Sequence, residues 1–186
     1  MPPLPKTADR LQTTATLGVW LTTAVLILLS GIIAFFLWTA LTDSGEAARL
    51  LADQLGMNDP APFLSIPQAL LLTLLWLISD VVAFIMLLQI RALFVGIRAR
   101  GIFTTQTAER LRRIGWLVFI IAPVGVLVNM CASMLLHHWR DPTGLHGSIS
   151  MSDGDFYAMV IGLVIVAVGH IMVDATRLDA ENRAFV

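Results

Sequence analysis

The chain is predicted to be an all-α integral membrane protein, a four-transmembrane-helix bundle with both termini cytoplasmic and a helical cytoplasmic hairpin between spans two and three. Three observations carry this. Of its 186 residues 57% are hydrophobic and only 13% charged, and mean hydropathy is +0.81; soluble domains run at roughly 45–50% apolar and about 25% charged. The apolar residues gather into four runs of membrane-crossing length, and the few charges segregate between the connections. A water-soluble fold of this size would leave far too much apolar surface exposed.

The runs cover about residues 17–41, 67–90, 116–136 and 156–173. At 1.5 Å per residue each is able to cross a hydrocarbon core of roughly 30 Å, the fourth with least to spare. They are continuously apolar instead of alternating, and an open sheet in lipid would strand its backbone groups, so strands are excluded. The first run follows Lys6 and Arg10 as a signal peptide would, but it stays uncharged from Leu11 to Leu41 without a convincing small-residue cleavage site. It is read as a retained span.

Orientation follows from the basic residues. Lys6, Arg10, Arg91, Arg98, Arg100, Arg110, Arg112, Arg113, Arg177 and Arg183 fall on one side, Arg49 and Arg140 on the other. The positive-inside rule then places both termini in the cytoplasm. With the acidic residues added, the sides carry +5 and −5, leaving Asp80 within the membrane. Trp20 and Trp116 fall near the cytoplasmic span ends and Trp38 and Trp139 near the outer ends, as aromatic belts require, whereas Trp76 lies deeper and packs between helices.

Three connections remain. The outer loop 42–66 is expected to hold a short amphipathic helix capped by Asp43, with Glu46 three residues on, Leu50, Leu51 and Leu55 on one face, and Gly56 as its stop. Pro60, Pro62 and Pro67 would then deliver an extended entry into span two. The cytoplasmic connection 91–115 reads as a helical hairpin in which helix two continues to Arg100, Gly101 ends it, and Thr104 caps the next helix. The outer loop 137–155 is turn-rich and expected to be irregular, and 174–186 forms a cytoplasmic tail. The whole chain is read as one membrane domain without internal repeats.

The basic Gly-Ile-Phe-Thr turn (101–104), the following AERLRRIGW (108–116) and a final span ending in RLDAENRAFV (177–186) resemble the bacterial membrane-protein family catalogued as domain of unknown function 2975. The resemblance covers nearly the whole chain. It implies a four-span inner-membrane protein whose gene often lies beside one for a small helix-turn-helix regulator of the Cro/repressor type. The family often has Pro at the place of Thr105 and an acidic residue near that of His170, where this chain departs. It implies no active site.

Asp80 is the most informative single position. A carboxylate at the bilayer centre costs about 2.5–3.5 kcal/mol on insertion scales, so it should face the bundle interior and have a partner or be protonated, the alternative being a protonated, lipid-facing Asp. Ser30, Asn129 and His170 are its candidate partners by depth, making an intramembrane polar cluster that either locks the helices or handles a ligand, ion or proton. Span three carries Ala122, Gly125, Asn129 and Ser133, and span four Ala158 with Gly162, small-residue stripes of the kind at which membrane helices approach closely. On the last helix Ala167, His170, Asp174 and Arg177 form a stripe into the cytoplasm, with Asp174 and Arg177 an i, i+3 pair.

Other groups weigh less. Met130, Cys131, Met134 and His138 have spacing suited to a soft metal, though methionine and solvated histidine are ordinary there. Haem would need two histidines at matching depth, and His137 and His138 lie at the outer edge while His170 lies near the inner one. No cofactor is expected. The single cysteine makes no intramolecular disulfide, and no CxxC spacing exists. Arg91, Arg98, Arg100, Arg110, Arg112 and Arg113 form a basic cytoplasmic surface that secures topology, gains roughly 1 kcal/mol per residue near an anionic leaflet, or docks an acidic or regulatory protein. Nucleic-acid binding is disfavoured because no reading module accompanies them.

With no nucleophile elbow, phosphate loop, HExxH or paired catalytic carboxylates, an enzyme is not expected. The leading expectation is a non-enzymatic inner-membrane protein acting by protein contact, as partner of a small cytoplasmic transcriptional regulator or accessory subunit of a membrane complex. The alternative is a small, oligomeric transport or ligand-sensing module with a polar pocket around Asp80.

Overall fold

A computed structural model describes residues 6–54, 64–100, 104–140 and 151–184. Within these residues every regular element is helical: α1 (Lys6–Thr42), α2 (Ser44–Gln54), α3 (Ile66–Arg100), α4 (Thr105–Arg140) and α5 (Asp153–Ala184). Four of them, α1, α3, α4 and α5, are long and apolar enough to cross a membrane.

Each long helix outruns the apolar run that predicts it, and at the heads of α3, α4 and α5 a cap rather than hydrophobicity sets the end. Asp43 Oδ1 accepts from the backbone N–H of Gly45 and Glu46, both at 3.1 Å, so the expected N-cap of α2 forms. Thr104 caps α4 through the Thr107 N–H at 3.2 Å. Two further caps lie where loops are expected. Gln68 Oε1 accepts from the Ser65 N–H and hydroxyl, each at 2.9 Å, at the head of α3. Ser152 and Asp155 form a reciprocal capping box at the head of α5.

Several expectations for the connections change accordingly. Pro67 stands in the first turn of α3, where its missing N–H costs nothing, instead of in an extended entry. The connection 137–155, expected to be an irregular outer loop, is helical at both margins, since α4 runs to Arg140 and α5 begins at Asp153. The face of α2 that is buried is Ala47 and Ala48, with Leu50 only half-buried. The side chain of Leu51 and all of Leu55, Gly56, Pro60, Pro62 and Gly101 lie outside the described residues. Pro123 sits inside α4 without ending it.

The chain divides into two compact units. The first gathers Met1–Ile27, Ala83–Ile120 and Tyr157–Val186. In it, α4 and α5 meet backbone to backbone: a Cβ on Gly162 would come within 2.6 Å of the Phe119 nitrogen, one on Gly115 within 2.6 Å of the Val166 nitrogen, and one on Gly169 within 2.8 Å of the Arg112 backbone. The partners descend along α4 as they ascend along α5, so the two segments run antiparallel. The segments of α1 and α3 in this unit meet where Gly18 admits the ring of Phe94, 2.6 Å from where a Cβ would be. Gly115, Gly162 and Gly169 therefore make the close crossing in this unit. A Cβ on Gly125, by contrast, would meet nothing within 4 Å.

The second unit comprises Leu28–Val82 and Ile121–Phe156. Its core is a small-residue cluster in which Ala40, Ala47, Ala48, Ala69 and Ala132 surround Leu72 and Leu136. Trp76 and Trp139 pack against that cluster. Several hydroxyls on the long helices bond back to their own backbone, as with Thr73 to the Ala69 carbonyl at 2.9 Å and Ser133 to that of Met130 at 2.9 Å. This keeps those hydroxyls satisfied without help from solvent.

Candidate functional site

The site is built on one face of α3. Thr73, Trp76 and Asp80 recur at i, i+3 and i+7, so an α-helix stacks them on a single stripe. Together with Leu77 they line one side of a pocket of about 290 Å³ in the second unit. Leu29, Ile32, Ile33 and Phe36 of α1 line the other side. The volume lies at the lower edge of the roughly 300–1,000 Å³ typical of small-molecule sites.

The polar groups of the pocket are few and distinctive. The Thr73 hydroxyl is committed to its own helix. Trp76 Nε1 is buried and has no hydrogen-bond partner among the described residues, as is also true of Ser79 Oγ one residue before Asp80. No hydrogen bond or ion pair to Asp80 occurs among the described residues. The only Lys or Arg in this unit are Arg49 and Arg140, both outside the expected spans. A carboxylate among aromatic and aliphatic walls can hold a molecule with an apolar body and a polar head that complements the carboxylate.

The other cluster residues are placed differently. Ser30 and Asn129 belong to the same unit as Asp80 but do not line its pocket; Ser30 is exposed and Asn129 half-buried. His170 belongs to the first unit, is exposed, and donates from Nδ1 to the carbonyl of Val166 on its own helix at 2.9 Å. Arg177 reaches forward to Glu181 at 3.1 Å rather than back to Asp174. Sequence reasoning found Asp80 but missed Thr73, Trp76 and the α1 wall; the i, i+3, i+7 stripe was the signal available for the first two.

The basic surface is partly consumed by the fold. Arg91 donates from Nε to the Thr23 hydroxyl of α1 at 3.1 Å, and the Arg110 guanidinium donates to the Ala92 carbonyl of α3. Arg112 is half-buried with its backbone against Gly169, while Arg98 and Arg113 are exposed. The side chain of Arg100 lies outside the described residues. Among Met130, Cys131, Met134 and His138, the cysteine and histidine are exposed, and no grouping of three His, Cys, Asp or Glu suited to a metal occurs among the described residues.

Neither the curated proteins nor the solved structures contain a match to the chain. The family model for DUF2975, described as a protein of unknown function, matches residues 6–186, so the four apolar helices and the pocket between α1 and α3 belong to a member of that family.

Proposed function

We propose that the protein is a non-enzymatic, multi-pass protein of the bacterial inner membrane, with both termini cytoplasmic, that binds a small, largely apolar molecule between α1 and α3. The observation that supports this best is the pocket itself: about 290 Å³ with apolar walls, Asp80 on its lining and the indole of Trp76 beside it. A half-buried carboxylate and a buried indole N–H without partners are costly, and a structural role would ordinarily supply those partners from neighbouring helices. The ten-to-two bias of basic residues supports the orientation. The reading is tested by a thermal-shift screen of small hydrophobic molecules against the purified protein and an Ile33→Trp variant, whose indole fills the pocket. Ligands that stabilise the wild type and not the variant are expected; ligands that act equally on both would overturn it.

A second reading draws on the cytoplasmic side. Exposed Arg98 and Arg113, with the exposed Arg177–Glu181 pair beyond the last span, offer charged groups to a protein partner. A small cytoplasmic transcriptional regulator or a larger membrane complex would be such a partner. Arg91 and Arg110 are already engaged within the fold, which reduces that surface and ranks this reading second.

A further inference from the structure

We infer that the molecule held in the α1–α3 pocket is a cation: a small ammonium compound with an apolar body. The inference rests on the ligand-binding reading above and specifies its chemistry. Asp80 brings one negative group to a site whose other walls are aliphatic or aromatic. The unit that contains it offers no Lys or Arg within the expected spans, so the countercharge is not built into it. A cationic guest neutralises the ionised carboxylate directly, whereas a neutral guest would bind only beside its protonated form and an anionic guest would meet like charge.

The aromatic walls fit the same guest. Trp76, beside Asp80 on the α3 stripe, and Phe36 on α1 are the aromatic residues of the lining, and a cation over the face of Trp is favoured most among the aromatics. Ile33, Leu29 and Leu77 supply the surface for an apolar body. Ile32 is 43% exposed at the rim, so the pocket communicates with the surface of the span, where an amphiphile dissolved in the bilayer is already concentrated. The small volume limits the guest to about one ring or a short chain with its ammonium head.

The test compares two probes of nearly identical shape: benzyltrimethylammonium, whose charge is fixed at every pH, and neopentylbenzene, its neutral carbon isostere. Binding to the full-length protein in detergent is followed by thermal shift across a concentration series. The cation is expected to bind at least about tenfold more tightly than the isostere, and Asp80→Asn to lower cation affinity by about tenfold while changing isostere affinity less than about twofold. Ile33→Trp retains the carboxylate, so it should abolish binding of both probes even where Asp80→Asn fails to fold. Equal binding of the two probes, or cation affinity unchanged in Asp80→Asn, overturns the cationic assignment and leaves the pocket as a site for neutral molecules. Failure of both probes on the wild type, or equal binding by Ile33→Trp, overturns the pocket reading and the cationic assignment with it.

Discussion

Gly162 has no room for a methyl group. Its Cβ would stand 2.6 Å from the Phe119 nitrogen and 3.0 Å from the Gly115 oxygen, and backbone cannot move aside as a flexible side chain can. Gly162→Ala must therefore push α4 and α5 apart locally, and a loss of about 1–3 kcal/mol is expected from overpacking. Gly125→Ala meets nothing within 4 Å and should be neutral or gain up to about 1 kcal/mol through helix propensity. Equilibrium unfolding of both variants in detergent checks the contrast, and similar stabilities for the two would refute the assigned crossing. Composition alone treats these glycines alike, since each stands in a stripe of small residues. What separates them is which face of a helix meets a neighbour, a property of the pair of helices and not of either sequence stripe. The same limit applies to Asp80: its cost in lipid marks it from sequence, but Leu29, Ile32, Ile33 and Phe36 come from a helix some fifty residues away and carry no pattern that announces a pocket wall.

Helix ends obey a more local rule and were correspondingly more legible. Asp43 and Thr104 stand immediately before helices with the residue types that caps demand, and both caps form. The Ser65–Gln68 and Ser152–Asp155 caps have the same S-x-x-Q and S-x-x-D pattern, yet hydrophobicity draws the boundary inside them because capping residues are polar and precede the apolar run. A span defined by lipid contact and a helix defined by hydrogen bonds are different objects, and here the helix is consistently the longer. Thr104 adds a further role, since its hydroxyl also lies 2.7 Å from that of Thr107, which is buried. Thr104→Ala should cost about 1 kcal/mol and leave Thr107 without that partner. The loss should be local, so hydrogen exchange at Gln106, Thr107 and Ala108 is expected to accelerate while amides in the middle of α4 keep their protection. Unchanged exchange at the first turn would show that the cap contributes nothing to that end.

For the whole molecule, charge and hydrophobicity answer separate questions. The four apolar helices show that the chain can cross a bilayer; only the distribution of its few charged residues gives a direction. Lipid covers the apolar faces, which explains why side chains such as Trp20, Ile27 and Trp38 are more than 60% exposed without any deficit in packing. The charges cannot be relieved in that way, and by the positive-inside rule the connections with the arginine surplus are expected to stay behind in the cytoplasm during insertion. Two exposed positions report the outcome directly, Glu46 on α2 and Thr105 at the start of α4. In a Cys131→Ser background, Glu46→Cys should react with a membrane-impermeant maleimide added to intact cells, and Thr105→Cys only after the membrane is permeabilised. The reverse pattern would place the basic connection outside and overturn the orientation. It would also move Arg98 and Arg113 away from any cytoplasmic partner, while leaving the pocket and its cationic ligand untouched, because Asp80 lies about midway along its span and keeps nearly the same depth in either orientation.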